Sequence, residues 1–482
     1  MILNTNYLFL KTYNFLLTVT IISAITVFVI GIGDIPLLSF NEARRAIPVS
    51  NIFTQGNWLI PKINDEIYIT KPPLLYWLST IASMAINEVN EWSLRIVSAL
   101  SASATAWLVF VYARKNFGYW SALFALQLIV ANVGFSMLAR QAGIEMLLTF
   151  LCFSSFICAV NYIYEGGMKW IFSSYVLLGL AVLTKGPIAF LFVTAPLLVI
   201  VLAQKNQRRW DVLTNIPAWI LALLIGSSWY IAVTYSLGPD VWSQIIKKDL
   251  LQKVNGKDGE AIYSYLVWMA TDFFPAIILI LFSFKSTYLR WKYNKLIISL
   301  AIGILTPLLI YSAFSDKHAK YMLPVYPILA IILGHRLGEI YITGKDLQKK
   351  ILISISLLIM SGYALFYLYG QKIALNHRHQ VLPELHQWST NTNSTAEIFA
   401  LNHLDERAIY YLNRTVPIID ELQLKSLHSN GAIVLAEDTN IPIAKSMAEC
   451  TLRVFKPYLK KSGILVAFGY GSICHASAQD LD

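Results

Sequence analysis

The sequence predicts an all-α polytopic membrane protein of about 11–13 transmembrane helices, followed by a small C-terminal α/β domain. The chain of 482 residues is 56% hydrophobic and 14% charged, with a mean hydropathy of +0.56, which lies outside the range of soluble globular proteins. Apolar runs near the roughly 20 residues needed to cross a bilayer follow one another up to residue 369. Beyond residue 370 these runs give way to short β-like segments.

The first apolar run, residues 15–33, follows Lys11 and no small-residue cleavage site comes after it. It is therefore predicted to be an uncleaved anchor with a cytoplasmic N-terminus. The later runs, of which 170–184 and 187–204 are short or marginal, lie at 94–113, 119–138, 144–163, 170–184, 187–204, 212–236, 265–284, 296–314, 321–342 and 351–369.

The run 74–86 decides the topology, because as a helix it would be only about 20 Å long, shorter than the hydrocarbon core. If it lies in the interface or is re-entrant, the basic clusters fall on the cytoplasmic side, as the positive-inside rule requires. These clusters are Arg114 and Lys115; Lys205, Arg208 and Arg209; Lys285, Arg290, Lys292 and Lys295; and Arg336, Lys345, Lys349 and Lys350. The prediction is then about eleven spans with an external C-terminus. The net charge of +10 is assigned to such loops and to phosphate contacts, not to nucleic acid.

This topology places the unusual ionisable groups on one membrane face, in the connections 34–93, 139–145, 184–187, 237–264 and 315–320. These groups are Glu42, Lys71, Arg140, Glu145, Lys185, Asp249, Asp316, Lys317, His318, Lys320 and Tyr321. Ionisable groups beside a span are costly unless they are functional or paired. The outward face is therefore the predicted location of the active site.

The first outward loop carries the densest set of local signals, between residues 39 and 77. Ser39 and Glu42 have the S-x-x-E spacing of a capping box, which predicts a helix start with Glu42 and Arg45 on one face. A polar turn at 54–57 follows, then a short extended piece around 58–61. The prolines of Lys71-Pro72-Pro73 end one element and open the next.

The order of three landmarks in this loop resembles one family. A helix with a carboxylate at its head is followed by G-N-W-x-x-P (56–61) and K-P-P-L-L-Y-W (71–77). This is similar to the first periplasmic loop of polyprenyl-phosphate-sugar-dependent glycosyltransferases of the GT-C superfamily, such as lipid A aminoarabinose transferases and protein O-mannosyltransferases. The resemblance implies an inverting membrane enzyme. It would move a sugar from undecaprenyl phosphate or a similar carrier to a lipid, protein or glycan.

The resemblance also implies roles for the residues of this loop. The family's favoured base is an Asp at the position of Asn41, so the role would pass to the neighbouring Glu42, with Asn41 and Arg45 in support; alternatively, Glu42 only caps its helix. Lys71 matches the phosphate-binding lysine, unless it merely lies at the membrane surface. A glutamate linked to a metal site is replaced by Thr70, so no metal ligand is assigned and a divalent metal is left open.

Two later segments add candidates by the same resemblance. Residues 139–146 resemble A-R-x-x-x-x-D with Glu145 in place of Asp, giving Glu145 as a second catalytic candidate and Arg140 as a phosphate contact; the two can instead pair with each other. The segment 315–324 resembles the K-Y-x-L-P motif, in which Lys320 and Tyr321 would contact the lipid phosphate and His318 would assist. Lys185, in T-K-G-P, is either a family motif residue or a structural break between spans.

The predicted division is a transmembrane glycosyltransferase domain over 1–370, with the periplasmic loop 34–93, and a periplasmic α/β domain over 371–482. Cys152 and Cys158 are predicted to pack in a span, whereas Cys450 and Cys474 can pair if their compartment is oxidising. The implied location is the bacterial inner membrane, with the active site facing the periplasm. Two alternatives stay open: a transporter or flippase, and an inactive relative that binds a lipid-linked sugar.

Overall fold

A computed structural model of the chain describes residues 2–37, 39–204, 209–243, 260–278, 289–375, 381–391, 397–427, 431–459, 463–471 and 473–476. The chain forms two compact units. The first unit comprises residues 1–32, 69–86 and 92–368, and the second comprises 33–68, 87–91 and 369–482. Several residues of the sequence analysis lie outside the described residues: Asp249, Lys205, Arg208, Lys285 and the end of the predicted span 265–284.

The first unit is helical, and its helices are numbered here in chain order. They are α1 (Ile2–Phe28), α3 (Leu74–Ile86), α4 (Glu91–Phe117), α5 (Tyr119–Val130), α6 (Val133–Ala139), α7 (Ile144–Glu165), α8 (Met168–Lys185), α9 (Ala189–Phe192), α10 (Thr194–Ala203), α11 (Asp211–Thr214), α12 (Ile216–Leu237), α13 (Ser264–Asp272), α14 (Lys295–Ser312), α15 (Tyr326–Thr343) and α16 (Asp346–Leu365). A 3₁₀ helix, Ala319–Val325, leads into α15, and a π-helical turn, Phe366–Gly370, follows α16.

The described residues include eight helices that are long and apolar enough to span a membrane. They are Leu10–Phe28, Glu91–Phe117, Ile144–Glu165, Met168–Lys185, Ile216–Leu237, Lys295–Ser312, Ala319–Thr343 and Asp346–Ala374. A ninth is possible if α5 and α6, bent by 64° at their junction, form one broken span. The helix α3 has 13 residues and covers the run 74–86, which was predicted to be too short to cross the bilayer. The marginal run 187–204 forms the two short helices α9 and α10. The prediction of a polytopic helical membrane protein is confirmed.

Close helix packing in the first unit depends on glycines spaced four residues apart. A Cβ at Gly334 of α15 would lie 2.4 Å from the backbone nitrogen of Ala125 in α5, and one at Gly338 would lie 2.6 Å from the Ser121 hydroxyl. Small residues let two helices approach in this way without a hydrophobic driving force, as is common in membranes. The α5–α15 contact is thereby fixed, and the 3₁₀ helix that precedes α15 is held next to the core.

The second unit contains the predicted α/β fold. Its strands are β1 (Lys62–Ile63), β2 (Glu66–Ile67), β3 (Glu397–Leu401), β4 (Ile418–Ile419), β5 (Ala432–Glu437), β6 (Cys450–Phe455) and β7 (Leu465–Tyr470). Its helices are α2 (Phe40–Gln55), α17 (Gln371–Leu375), α18 (Val381–Asn391), α19 (Glu406–Leu412), α20 (Glu421–Ser426), α21 (Ile441–Met447) and α22 (Ile473–Ala476), with a 3₁₀ turn at Asp438–Asn440. The sheet order is β4-β3-β5-β7-β6, parallel from β4 to β5 and antiparallel beyond, and β1 and β2 form a separate hairpin. Cys450 and Cys474 form a disulfide.

The loop 34–93 is divided between the units, because residues 34–68 and 87–91 belong to the second unit and residues 69–86, which include α3, belong to the first. Asn64, in the β1–β2 turn, accepts a hydrogen bond from the backbone nitrogen of Val416 and donates one to its carbonyl, both at 2.7 Å. Arg44 of α2 forms an ion pair with Glu406 of α19. These contacts, made between residues more than 300 positions apart, attach residues 34–68 to the C-terminal part of the second unit.

Candidate active site

Three separate segments of the first unit meet at one carboxylate. Glu145 lies in the first turn of α7, and its Oε1 is 3.7 Å from Nζ of Lys185, the last residue of α8. The same oxygen is 3.5 Å from Nζ of Lys320, which lies in the 3₁₀ helix before α15. The sequence candidates Glu145 and Lys320 are therefore neighbours, and Lys185 joins them.

The lysine–glutamate cluster, defined as Glu145, Lys185 and Lys320, carries more positive than negative charge. Its side chains are mostly buried, with exposed fractions of 12% for Glu145, 15% for Lys185 and 30% for Lys320. Two ammonium groups facing one carboxylate give the cluster a net positive charge. Low-dielectric surroundings strengthen the attraction of such a charge for an anion. The cluster is therefore suited to binding a phosphate through the more exposed lysine.

Aromatic side chains form one wall of this cluster. Nζ of Lys185 lies 5.1 Å from the centre of the Tyr321 ring, in cation–π range. The ring of His318 meets Tyr321 edge-on at 5.1 Å, and Nε2 of His318 lies 3.4 Å from a carboxylate oxygen of Asp316. The structure thus places Tyr321 between Lys185 and His318 and gives the histidine a carboxylate partner, while the predicted roles of His318 and Tyr321 stay predictions.

Two glycines lie next to residues of the cluster, Gly186 after Lys185 and Gly143 before the helix that carries Glu145. Gly186 ends α8 with a φ of +86°, a left-handed conformation that suits glycine, and Lys185 is held at that break. Gly143 precedes α7, and a Cβ there would lie 2.8 Å from the Glu145 carboxylate. Lys185 is thus both a residue at a helix break and a contact of Glu145, so the two sequence interpretations of this lysine are compatible.

Arg140 lies at the end of α6 and points into the first unit. It is 5% exposed, and its Nη1 donates to the backbone carbonyls of Val27 at 3.0 Å and Ile30 at 2.8 Å. A second buried arginine, Arg95, donates to the carbonyl of Ile32 at 2.7 Å. Cations at the carboxyl end of a helix satisfy its last carbonyls and complement its dipole. The described contacts of Arg140 therefore secure the end of α1, and its predicted contact with the donor phosphate stays a prediction.

A half-buried aspartate, Asp272, which the sequence reasoning missed, binds the start of α6. Asp272 Oδ2 accepts a hydrogen bond from the Tyr326 hydroxyl at 2.6 Å, and its Oδ1 accepts one from the Gly134 nitrogen at 3.3 Å. Asn132 caps α6 and also donates to the Asp272 carbonyl. Asp272 lies inside a predicted apolar run, and an ionisable residue in such a run is the signal that could have found it.

Lys71 opens the segment that leads into α3, and α3 packs against α8, the helix that ends at Lys185. Lys71 is half-buried. The preceding Thr70 offers only a neutral hydroxyl where the resemblance would place a metal-binding glutamate. Among the described residues, no group of three or more His, Cys, Asp or Glu is arranged to hold a metal ion. These donor groups do not fit the implied metal site, and we derive no step through a metal.

The other predicted residues lie in the second unit. Ser39 caps α2 by accepting a hydrogen bond from the Asn41 nitrogen at 3.2 Å, which confirms the predicted helix start. Glu42 lies in the first turn and is 2% exposed. Arg45 is also buried and donates to the Tyr68 hydroxyl at 2.8 Å. The predicted roles of Asn41, Glu42 and Arg45 in catalysis stay predictions.

Comparisons with known proteins agree with this fold. The dolichyl-phosphate-mannose-protein mannosyltransferase family model matches residues 70–231, and the Alg9-like mannosyltransferase family model matches residues 260–408. The crystal structure of ArnT from Cupriavidus metallidurans bound to undecaprenyl phosphate superposes with a TM-score of 0.77, covering 93% of this chain and 97% of that one at 16% identity. The chain therefore has the fold of this glycosyltransferase, and both matching family models describe mannosyltransferases.

The similarity in sequence to curated relatives extends over about two thirds of the chain. An undecaprenyl phosphate-alpha-4-amino-4-deoxy-L-arabinose arabinosyl transferase of Shewanella sediminis is 26% identical over 64% of this chain and 57% of its own length. An uncharacterised protein of Aquifex aeolicus is 27% identical over 72% of this chain and 77% of its own length. The chain thus spans less than two thirds of the Shewanella arabinosyl transferase.

Proposed function

We propose that this protein transfers a sugar from a polyprenyl-phosphate carrier to a hydroxyl- or phosphate-bearing lipid, protein or glycan. The observation that carries the proposal is the lysine–glutamate cluster, in which two lysines meet one carboxylate beside Tyr321. Support comes from the GT-C fold and from relatives whose names specify undecaprenyl phosphate.

The chemistry needs a site for the departing phosphate. When an acceptor oxygen attacks the anomeric carbon, the bond from that carbon to the phosphate oxygen breaks, and its electron pair leaves with the phosphate. Lys320 and Lys185 would stabilise this growing negative charge, and Tyr321 would donate a hydrogen bond to the same group. Lys71 is assigned to the same phosphate from its motif. Attack from the face opposite the leaving group gives inversion.

The acceptor must also lose a proton when it is a hydroxyl. A carboxylate is the usual general base for such a step. We assign this role to Glu42 from its position beside Asn41 in the loop motif, with Glu145 as the rival carboxylate. Glu145 already binds two lysines, which favours a role in positioning them.

The test is sugar transfer by the purified protein from an undecaprenyl-phosphate-linked, isotope-labelled sugar in detergent or nanodiscs. We expect release of free undecaprenyl phosphate and loss of label from the donor. A transporter would move the intact donor between leaflets without breaking it, and an inactive relative would bind it unchanged. Lys292→Gln, which removes an exposed lysine next to Tyr293, serves as a matched control for charge.

The proposed location is the bacterial inner membrane with the site facing the periplasm, from the distribution of basic loops. A phosphatase fused after Asp482 should be active only in the exported orientation. Activity of a cytoplasm-only reporter at the same position would contradict this orientation. Mass spectrometry of surface lipids and glycans from a deletion strain would then identify the acceptor by the modification that disappears.

A further inference from the structure

The last turns of α4 and the start of α5 line an open cavity that has no part in the proposed transfer. Its volume is about 410 Å³, and it is lined by Trp107, Phe110, Val111, Arg114, Lys115 and Tyr119. Residues 107, 111 and 114 or 115 recur at intervals of three and four, so they share one face of α4. Trp107 is 64% exposed, and its ring stacks on Phe110 at 5.9 Å. The cavity is therefore apolar on one side and basic towards the helix end.

The cavity lies at the opposite end of α7 from the lysine–glutamate cluster. Lys115 forms an ion pair with Glu165, the last residue of α7, whereas Glu145 is in the first turn of that helix. A helix of 22 residues is about 33 Å long, close to the thickness of the bilayer core. The cavity is thus on the other membrane face from the proposed donor phosphate, at the depth of lipid headgroups.

The charges of the cavity favour an anion. The Arg114 guanidinium lies 4.7 Å from the centre of the Tyr119 ring, and Nη2 is 3.5 Å from its hydroxyl. Within the described ranges of the chain, Arg114 has no carboxylate partner, while Lys115 is neutralised by Glu165. The lining residues include no acid. One cation is therefore available, with a tyrosine beside it as a hydrogen-bond donor.

We infer that this cavity binds an anionic phospholipid. The headgroup phosphate would contact Arg114 and the Tyr119 hydroxyl, and an acyl chain would lie along Trp107 and Val111. A zwitterionic lipid would bring its ammonium group near Arg114 and Lys115, which would oppose binding. Basic pockets at the ends of transmembrane helices bind anionic headgroups by this combination of charge and apolar contact.

The experiment is native mass spectrometry of the full chain in detergent, titrated separately with phosphatidylglycerol and phosphatidylcholine of identical acyl chains. We expect tighter binding of phosphatidylglycerol by the wild type. Arg114→Gln should weaken this binding about fivefold, the effect of one basic residue near a lipid surface. Arg290→Gln removes an exposed arginine outside the cavity and should leave binding unchanged.

Two further arms make the result decisive. Trp107→Leu keeps every charge but removes the ring, and it should weaken both lipids if the acyl chain lies there. Soluble glycerol phosphate should not displace the bound phospholipid, because it lacks the apolar part. Equal phosphatidylglycerol affinity in Arg114→Gln and wild type, or equal binding of the two lipids by wild type, would overturn the proposal. Thermal unfolding of each variant without added lipid confirms that it is folded.

Discussion

The two units of this chain use charge in different ways. In the first unit, Glu145 faces two lysines at 3.7 and 3.5 Å, so this cluster contains two bases and one acid. In the second unit, Asp405 receives two hydrogen bonds from the Arg407 side chain at 2.8 and 2.9 Å, one acid for one base. An acid and a base that neutralise each other attract a charged ligand weakly, whereas a cluster with more bases than acids attracts an anion. A net charge therefore distinguishes a candidate binding site from a structural ion pair better than the presence of ionisable groups alone.

The largest effect on sugar transfer is expected from replacing the carboxylate of Glu42. Glu42→Gln keeps the size of the side chain in the first turn of α2 but removes its basicity. If Glu42 accepts the acceptor's proton, turnover should fall by roughly 10²–10⁴, the usual contribution of a general base, while donor affinity is retained. The measurement is kcat together with donor Kd.

Glu145→Gln is the matched comparison for this variant. Because Glu145 binds Lys185 and Lys320, its loss should act mainly on donor affinity and less on kcat. The opposite pattern, with full turnover in Glu42→Gln and none in Glu145→Gln, would assign the base to the first unit and leave Glu42 as a helix-capping residue.

The next largest effects are expected from substituting the lysines assigned to the donor phosphate. Lys320→Gln and Lys71→Ala each remove a charge-assisted contact with the donor phosphate, which is worth about 1.5–3 kcal/mol, or roughly 10- to 150-fold in donor affinity. Lys185→Gln should act in the same direction, because it also leaves Glu145 with one partner. Lys292→Gln should bind donor like the wild type. Unchanged donor affinity in both Lys71→Ala and Lys320→Gln would remove the phosphate-binding assignment.

Local patterns predicted the elements of this fold well, because each depends on a few neighbouring residues. The cap at Ser39, the 13-residue helix α3 and the strands of the C-terminal sheet follow from spacing, turn residues and β-branched runs. The contacts among residues 145, 185 and 320 could not follow from spacing, since they join elements far apart in sequence. The same holds for the Asn64–Val416 contact, which attaches the first loop to the C-terminal residues.

The ion pair between Asp405 and Arg407 in the second unit should affect the stability of the fold and not sugar transfer. Burial alone would raise the pKa of Asp405, but the hydrogen bonds and charge of Arg407 outweigh it and hold this pKa below its usual range. A lowered pKa stabilises the fold fully above the unfolded pKa near 3.8, and this stability is lost as pH falls through the folded value. Asp405→Asn should retain the cap of α19 but lose the ionic contact, at a cost of about 2 kcal/mol.

Hydrogen exchange of the amides in α19 measures this contribution. In the wild type, protection should be constant from pH 6 down to the unfolded pKa near 3.8 and fall below it, whereas Asp405→Asn should be less protected at pH 6 and change less with pH. Sugar transfer at pH 7 should be retained by this variant at a temperature where it is folded. Wild-type protection in Asp405→Asn at pH 6 would show that the pair contributes nothing measurable.

An effect of similar size is expected at Gly469, where packing and not charge is at stake. Gly469 of β7 lies opposite Cys450 of β6, and a Cβ there would be 2.6 Å from the Cys450 sulfur and 2.8 Å from the Cys474 sulfur. Both sulfurs are tied by the disulfide, so neither can move aside as a free side chain does. Gly469→Ala should therefore lower the fraction of disulfide-bonded protein and destabilise the second unit by about 1–3 kcal/mol, as overpacking does. Alkylation of free thiols under non-reducing conditions reports the first effect, and thermal unfolding reports the second.

The same substitution in a Cys450→Ala, Cys474→Ala background removes the clash, so its cost should nearly vanish there. An equal cost in both backgrounds would mean that the strand, and not the disulfide, excludes the extra methyl group.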